Sequence, residues 1–150
     1  MRSIKAILGE RETVTVEQTA SVSAAARLMA ERHIGALPVT DDGRVAGIFS
    51  ERDVLTRVVG KDLDARRTPL SAVMTHNPEA LTARDRVAYA VHCMSVAGYR
   101  TIPLVDPEGR PIGIVTVSDV VRWLANLFPE ATLNLRPGDT IKNPHEVDAG

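Results

Sequence analysis

The 150-residue sequence lacks the features of several protein classes. Cys93 is the single cysteine, so no intramolecular disulfide and no cysteine-based metal cluster can form. The 18 Lys and Arg residues nearly balance the 19 Asp and Glu residues and form no block, which argues against nucleic acid or an anionic membrane as a partner. No apolar run reaches the roughly 18 residues of a membrane span, and the first apolar run is too short for a signal peptide. We therefore expect a cytoplasmic protein.

Catalytic motifs are absent as well. The sequence contains no nucleophile elbow, H-E-x-x-H, C-x-x-C, Walker loop or G-x-G-x-x-G, and its four histidines have no metal-ligand spacing. His92 and Cys93 are neighbours on a predicted helix, where adjacent side chains point about 100° apart and make a poor catalytic pair. We predict that Cys93 fills core space and that His33 packs or caps a helix end. The sequence thus predicts no catalytic residue, no metal site and no enzyme.

What the sequence does contain is an internal repeat. The stretch GIFSERD ends at Asp53 and GIVTVSD ends at Asp119, and both run Gly, two apolar residues, a hydroxyl residue, two variable positions and Asp. The alignment extends upstream through two short apolar runs, with Gly47 and Gly113 separated by 66 residues. Two halves of the chain are therefore expected to share one structure.

Each repeat is predicted to run strand, helix, strand, strand, helix. The first helices carry apolar stripes at i, i+4, i+7 and i+11, which are Val22, Ala26, Met29, His33 and Val87, Val91, Met94, Gly98. Extended runs at 13–16 and 79–82 precede these helices, and the turns TDDGR and DPEGR form hairpins. About fifty residues of this pattern cannot bury a sheet alone. We predict an α+β fold in which the repeats pack as a pseudo-twofold pair, with small sheets covered by helices.

The pattern also predicts the boundaries of these units. They are a lead-in helix (1–12), a first repeat (13–60), a linker with a short helix (61–77), a second repeat (78–128) and a C-terminal tail (129–150). In the linker, TPLSAVM predicts a helix with Thr68 as N-cap and Pro69 at the first helical position. The tail is expected to be flexible, unless ATLNL docks on a neighbouring subunit or target.

The repeated S/T-x-x-D motif allows two interpretations. Ser50 with Asp53, and Thr116 with Asp119, can form capping boxes where a strand becomes a helix. The same helix start can instead favour a ligand anion through its free amides and dipole. A carboxylate facing a phosphate would repel it, so Asp119 is better placed to accept hydrogen bonds from ribose hydroxyls.

The ordered set of motifs resembles the paired cystathionine beta-synthase (CBS) domain module, often called a Bateman module, of the kind found in stand-alone bacterial proteins. The resemblance covers about residues 3–127 and is carried by ALPV and TIPLV, DDGR and PEGR, the two G-x-x-[ST]-x-x-D endings, and VMTHNP. It implies a regulatory module that binds AMP, ADP, ATP, NAD or S-adenosylmethionine in two clefts between the halves.

The resemblance also implies which residues line the two clefts. The Asp119 cleft is formed by Val14, Ile34 and Gly35 around the base, with Arg100, Thr116, Ser118 and Asp119 toward ribose and phosphate. The Asp53 cleft is formed by Ser50, Arg52, Asp53, Thr75 and Glu79. Arg52 either contacts a phosphate or stays solvated, Arg100 either contacts a phosphate or makes a surface ion pair, and His76 lies near a ligand path. Because the motifs differ between the halves, the Asp119 cleft is the favoured site.

Two functions follow from these expectations. The favoured one is a sensor that reads an adenosine-containing ligand and passes the result to an unknown target protein by conformational change. The alternative is a structural adaptor with empty clefts that dimerises and docks. In either case the resemblance implies a homodimer through the helices of both repeats, with Trp123 at the subunit interface rather than stacked on a ligand.

Overall fold

The first repeat folds around a four-stranded sheet, seen in a computed structural model that describes residues 3–9 and 11–127. The strands β1 (Val16–Glu17), β2 (Ala36–Asp41), β3 (Arg44–Ser50) and β4 (Thr75–His76) lie in that order, with β1 parallel to β2 and the others antiparallel. Asp42 and Gly43 connect β2 to β3 with φ of 51° and 78°, as a two-residue type I′ turn requires. The strand β4 comes from the predicted linker.

The second repeat contains a smaller sheet. Strands β5 (Thr101–Val105) and β6 (Pro111–Thr116) form an antiparallel hairpin, and Leu81 adds one parallel bridge to Leu104. The predicted run at 79–82 is therefore reduced to a single bridge, and the run at 13–16 corresponds to a shorter strand displaced to Val16–Glu17. The predicted α+β fold with two strand-helix-strand-strand-helix repeats is confirmed.

The helices are α1 (Ile4–Leu8), α2 (Val22–Arg32), α3 (Glu51–Asp53), α4 (Val87–Val96) and α5 (Val117–Leu127). None of the helices in the described part of the chain has the length and apolar character needed to cross a membrane. The predicted tail, with its ATLNL segment, lies outside the described residues.

The buried faces of the first helices differ from the predicted stripes by one position. In α2 the buried residues are Val22, Ala25 and Met29, and in α4 they are Val87, Ala90 and Cys93. Positions i+3 and i+4 lie on the same side of a helix, and the sheet underneath decides which of them it covers. His33 is exposed and ends α2 in a left-handed conformation, which agrees with a capping position, whereas Cys93 fills core space as predicted.

The second helix of the first repeat is not the regular helix predicted to end at Gly60. After α3 the backbone widens into a π-helical turn over Val54–Val58 and then tightens into a 3₁₀ turn over Val59–Lys61. The predicted linker helix is also wrong, because Pro69 is extended and a single 3₁₀ turn follows at Leu70–Ala72. The hydroxyl of Thr68 donates backwards to the carbonyl oxygen of Asp64 at 2.7 Å and is therefore not an N-cap.

Each repeat has its own core, and each core takes side chains from the segment that precedes the other repeat. Ile4 of α1 is fully buried in the second core, and its amide donates to the carbonyl oxygen of Asp85 at 3.0 Å. Leu70, Val73 and Met74 are buried in the first core. The chain therefore crosses between the repeats twice, which holds α1 and the residues that follow it against the second repeat.

Candidate functional site

A cavity of about 340 Å³ lies where the start of the chain meets both repeats. The first repeat contributes Val14 and β2, the second contributes β5 and β6, and the residues around α1 close one side. The lining residues are Lys5, Leu8, Gly9, Arg11, Glu12, Thr13, Val14, Ile34, Ala36, Pro38, Ala83, Leu104, Ile112, Gly113 and Ile114. Most of these side chains are apolar, and the charged ones are Lys5, Arg11 and Glu12.

Gly113 of β6 lines the cavity beside α1. The hydroxyl of Thr13 donates to the carbonyl oxygen of Ile112 at 2.8 Å and attaches the start of the first repeat to the edge of β6. A Cβ on Gly113 would find Cδ1 of Leu8 at 3.7 Å, an ordinary contact distance. The strand therefore approaches α1 without filling the space between them.

Asp119 lies at the start of α5, where it forms the predicted cap. Its Oδ2 accepts hydrogen bonds from the amide of Thr116 at 2.8 Å and from the hydroxyl of Thr116 at 3.0 Å. That hydroxyl in turn accepts from the amide of Asp119 at 3.2 Å. Oδ2 is thus fully used within the helix cap, whereas Oδ1 points to other groups.

The second oxygen of Asp119 is held by an arginine from the start of the chain. Nη1 of Arg11 donates to Oδ1 at 2.8 Å, and Nη1 of Arg122 lies 3.5 Å from the same atom. Burial by itself raises the pKa of Asp119, but the hydrogen bonds from Arg11 and Thr116 outweigh it and hold the pKa below its usual value. The carboxylate is therefore charged at neutral pH although its side chain is only 2% exposed.

The other residues predicted for the Asp119 cleft lie at different distances from the cavity. Val14 and Ile34 line it. The carbonyl oxygen of Gly35 accepts from the amide of Glu51 at 2.9 Å, so Gly35 lies against the start of α3. Ser118 and Arg100 are exposed, and the carbonyl of Arg100 accepts from the amide of Val117 at 3.0 Å.

Asp53 forms the same cap at the start of α3 but has a different charged partner. Its Oδ2 accepts from the amide and the hydroxyl of Ser50 at 2.9 and 3.1 Å. Nε of Arg57, one turn along the same helix, lies 3.4 Å from Oδ1. Nη1 of Arg57 also donates to the carbonyl oxygens of Val73 and Met74 at 3.1 and 2.9 Å. This arginine thus joins the cap to the chain segment before β4.

The Asp53 cleft is also tighter beside its glycine. A Cβ on Gly47 would lie 2.6 Å from Sδ of Met74 and 2.8 Å from the carbonyl oxygen of Thr75. Thr75 itself belongs to β4 and pairs with Ile48, and Arg52 is exposed. The segment that precedes β4 therefore packs directly on β3, where the Asp119 cleft has space.

Glu79, also predicted for the Asp53 cleft, interacts with α4 of its own repeat. Its Oε1 accepts a hydrogen bond from the hydroxyl of Tyr89 at 3.0 Å and lies 3.9 Å from Sγ of Cys93. The hydrogen bond to Glu79 raises the pKa of Tyr89, and burial raises that of the Cys93 thiol. His76, predicted near a ligand path, is exposed and its Nε2 lies 2.8 Å from the carbonyl oxygen of Ser71.

Sequence reasoning missed Lys5, Arg11 and Arg57. Arg11 meets a residue 108 positions away, and no local pattern indicates such a pairing. The i,i+4 spacing of Asp53 and Arg57 was a usable signal, since such pairs share a helix face. Within residues 3–9 and 11–127, no group of three His, Cys, Asp or Glu side chains is arranged to hold a metal ion.

Comparison with known proteins identifies the architecture. The CBS domain family model matches residues 4–60 and 70–126. An uncharacterized 17.7 kDa protein of Acidianus ambivalens is 31% identical over 113 residues, which are 75% of this chain and 67% of that protein. The chain spans only 20% to 26% of the length of the Arabidopsis thaliana relatives it matches.

Two of the similar solved structures match over almost their whole length. The CBS-domain containing protein ATU1752 from Agrobacterium tumefaciens has a TM-score of 0.73 and 32% identity, covering 82% of this chain and 99% of that one. The CBS domain pair of protein MJ0100, in complex with 5′-methylthioadenosine and S-adenosyl-L-methionine, has a TM-score of 0.74 and 25% identity, with coverages of 82% and 99%. Together with the two family matches, this shows that the chain belongs to the CBS domain family, as a pair of CBS domains.

Proposed function

We propose that the Asp119 cleft binds an adenosine-containing ligand and that the chain is a regulatory module that senses it. The observation that carries this proposal is the cavity of about 340 Å³ between the repeats, whose lining residue Arg11 donates to Asp119 at the capped start of α5. Its volume lies within the range of roughly 300–1,000 Å³ that is usual for small-molecule sites. The complex of the MJ0100 domain pair with two adenosine derivatives supports the same ligand class.

The residues of the cleft suggest how such a ligand is held. The apolar side chains of Val14 and Ile34 flank the space for the flat base. A ribose hydroxyl would bind Oδ1 of Asp119, to which Arg11 also donates, since Oδ2 is used by Thr116. The amide and hydroxyl of Thr116 are engaged in the cap, so in this proposal a phosphate is held by other groups, with Ser118 and Arg100 as the exposed candidates.

The cavity walls come from both repeats, and this suggests how binding is transmitted. A ligand that contacts Val14 of the first repeat and Ile114 of the second stabilises one relative placement of the repeats. It shifts the conformational equilibrium only by its difference in affinity for the two placements. We expect a target protein to bind the two relative placements of the repeats with different affinity.

A thermal-shift panel tests the proposed function. A ligand that binds only the folded protein raises its melting temperature, by an amount that grows with concentration. We expect AMP, ADP, ATP, NAD, NADH or S-adenosylmethionine to raise it, with saturation on titration. No shift with any of these six compounds at millimolar concentration would contradict the sensor function.

The exposed helix faces favour a second function, dimerisation and docking. Leu55 and Val59 are 65% and 62% exposed in the first repeat, and Val121 is 57% exposed on α5. Nε1 of Trp123 on α5 is buried, and no described residue accepts a hydrogen bond from it. We propose that a second copy covers the helices of both repeats. Analytical ultracentrifugation should show a dimer, and a monomer at micromolar concentration with and without nucleotide would contradict it.

A further inference from the structure

The guanidinium of Arg11 binds Oδ1 of Asp119, which is the atom that the proposed ligand would use for its ribose. Arg11 is 48% exposed and lines the cavity, whereas Asp119 is 2% exposed and is not among the lining residues. The guanidinium therefore reaches inward from the cavity wall to a buried carboxylate. A ribose that places both of its hydroxyls on Oδ1 must compete with Nη1 of Arg11, which lies 2.8 Å from that atom.

The competition follows from the number of acceptor positions on the carboxylate. Each oxygen of a carboxylate accepts about two hydrogen bonds. Thr116 provides two donors to Oδ2, and Oδ1 already receives Arg11 with Arg122 close by at 3.5 Å. Two ribose hydroxyls cannot both bind Oδ1 while Arg11 stays in place.

The other charges around the cavity determine where a displaced Arg11 is most stable. Lys5 lines the same cavity and adds a second positive charge. Among the described residues of the lining, Glu12 is the acidic one, and its Oε2 accepts from Nη1 of Arg32 at 2.6 Å. Within the described part of the lining, Glu12 is thus already paired with Arg32 through one oxygen. A ligand phosphate would offer a displaced Arg11 a stronger anionic partner inside the cavity.

We propose that Arg11 is a specificity residue, which a ribose displaces from Asp119 and which then binds the ligand's phosphate. The cavity therefore selects nucleoside phosphates over uncharged nucleosides and over cationic derivatives such as S-adenosylmethionine. This inference rests on the proposed function of the Asp119 cleft and adds its ligand class. An uncharged nucleoside breaks the Arg11–Asp119 pair without replacement, whereas a nucleotide replaces it with a charge-assisted contact to phosphate.

Calorimetry with adenosine, AMP and S-adenosylmethionine tests the inference on the full chain. Arg11→Gln should weaken AMP binding by roughly tenfold, since it removes a charge-assisted hydrogen bond. The same variant should leave adenosine binding unchanged or tighten it, because the competitor for Oδ1 is gone. Arg11→Lys should fall between the wild type and Arg11→Gln for AMP. The wild type should bind AMP more tightly than S-adenosylmethionine, with an affinity that falls as salt is added.

Arg67→Gln is the matched control. Arg67 is strongly exposed, lies near Asp64 alone, and its substitution changes the net charge by the same amount as Arg11→Gln. We expect the affinities for all three ligands to stay within about twofold of the wild type, because Arg67 is not among the residues that line the cavity.

The outcomes separate the inference from the function on which it rests. If Arg11→Gln changes the affinities for adenosine and AMP by the same factor, Arg11 does not choose between them and the inference is wrong while the function stands. A wild type that prefers adenosine or S-adenosylmethionine to AMP would overturn the ligand class. If none of the three ligands binds the wild type or any variant, both the inference and the nucleotide site fail.

Discussion

The two clefts of the domain pair carry the same capping motif but differ in the arginine that holds its aspartate. Asp53 is paired with Arg57 of its own helix, which also donates to the carbonyl oxygens of Val73 and Met74. Asp119 is paired with Arg11, which comes from outside its repeat and stands in the wall of a cavity. A local partner that also donates to backbone carbonyls is expected to act as a structural clamp, whereas the remote partner, with no such contact among the described residues, is the one that we propose a ligand replaces.

The largest expected effect is a difference in ligand affinity between variants of Asp119 and of Asp53. Asp119→Asn should weaken binding of the nucleotide identified in the thermal-shift panel by about 10- to 100-fold, since hydrogen bonds to a charged acceptor contribute about 1.5–3 kcal/mol each. Asp53→Asn should change that affinity little, because neither Asp53 nor its partner Arg57 is among the residues that line the cavity. Isothermal titration calorimetry on the folded variants measures both.

A third aspartate provides the control for this comparison. Asp85 accepts from the amide and hydroxyl of Thr82 at 2.6 and 3.2 Å, so it has the same motif outside both clefts. Asp85→Asn should leave the affinity within about twofold of the wild type. A comparable loss in the Asp119 and Asp53 variants would show that both clefts bind ligand and that the contrast between them is wrong.

The next largest effect is on protein stability, when Gly47 or Gly113 is replaced by alanine. Gly47→Ala places a Cβ 2.6 Å from Sδ of Met74 and 2.8 Å from a backbone oxygen, so the strands must shift. Overpacking of this kind costs about 1–3 kcal/mol in the free energy of unfolding. Gly113→Ala meets Leu8 at 3.7 Å and should cost less than about 1 kcal/mol. Urea denaturation of both variants measures the difference. Equal losses of unfolding free energy would contradict the conclusion that the Asp53 cleft is tighter than the Asp119 cleft.

The hairpin turn and the two helix caps could be predicted from the sequence because they depend on local residues. The hairpin turn at Asp42 and Gly43 and the caps at Asp53 and Asp119 depend on residues within a few positions of one another. The repeat then indicated that each local structure occurs twice. The choice of Asp119 as the favoured site followed from differences between the two motifs and stays a prediction.

The structural features that the sequence did not predict depend on contacts between distant segments. Arg11 follows α1, and its position relative to Asp119 results from the burial of Ile4 in the core of the second repeat. The π-helical turn at Val54–Val58 was likewise not predicted by any pattern in the sequence. Such features depend on how the repeats fit together, which periodicity and capping residues do not specify.

Arg57 should contribute more to stability than Arg11. Arg57→Gln removes the ion pair with Asp53 and two hydrogen bonds to the carbonyls of Val73 and Met74, so we expect a loss of about 1–2 kcal/mol. Arg11→Gln removes one contact of a half-exposed side chain and should cost about 1 kcal/mol or less. Chemical denaturation without ligand compares them, and a larger loss for Arg11→Gln would contradict the assignment of Arg57 as the structural clamp.

The smallest effect is a pH dependence of the Arg11–Asp119 pair. Because hydrogen bonds from Arg11 and Thr116 hold the pKa of Asp119 below its usual value, the folded protein binds fewer protons there than the unfolded chain. This stabilisation is complete above the unfolded pKa of about 3.9 and is lost as the pH falls through the lower folded value. Among the described residues, the charged groups that face Asp119 are Arg11 and Arg122. The difference in unfolding free energy between wild type and Arg11→Gln should therefore be constant from pH 7 to pH 5 and shrink below pH 4. A difference that persists unchanged at pH 3 would mean that Arg11 stabilises the protein by packing rather than through the carboxylate of Asp119.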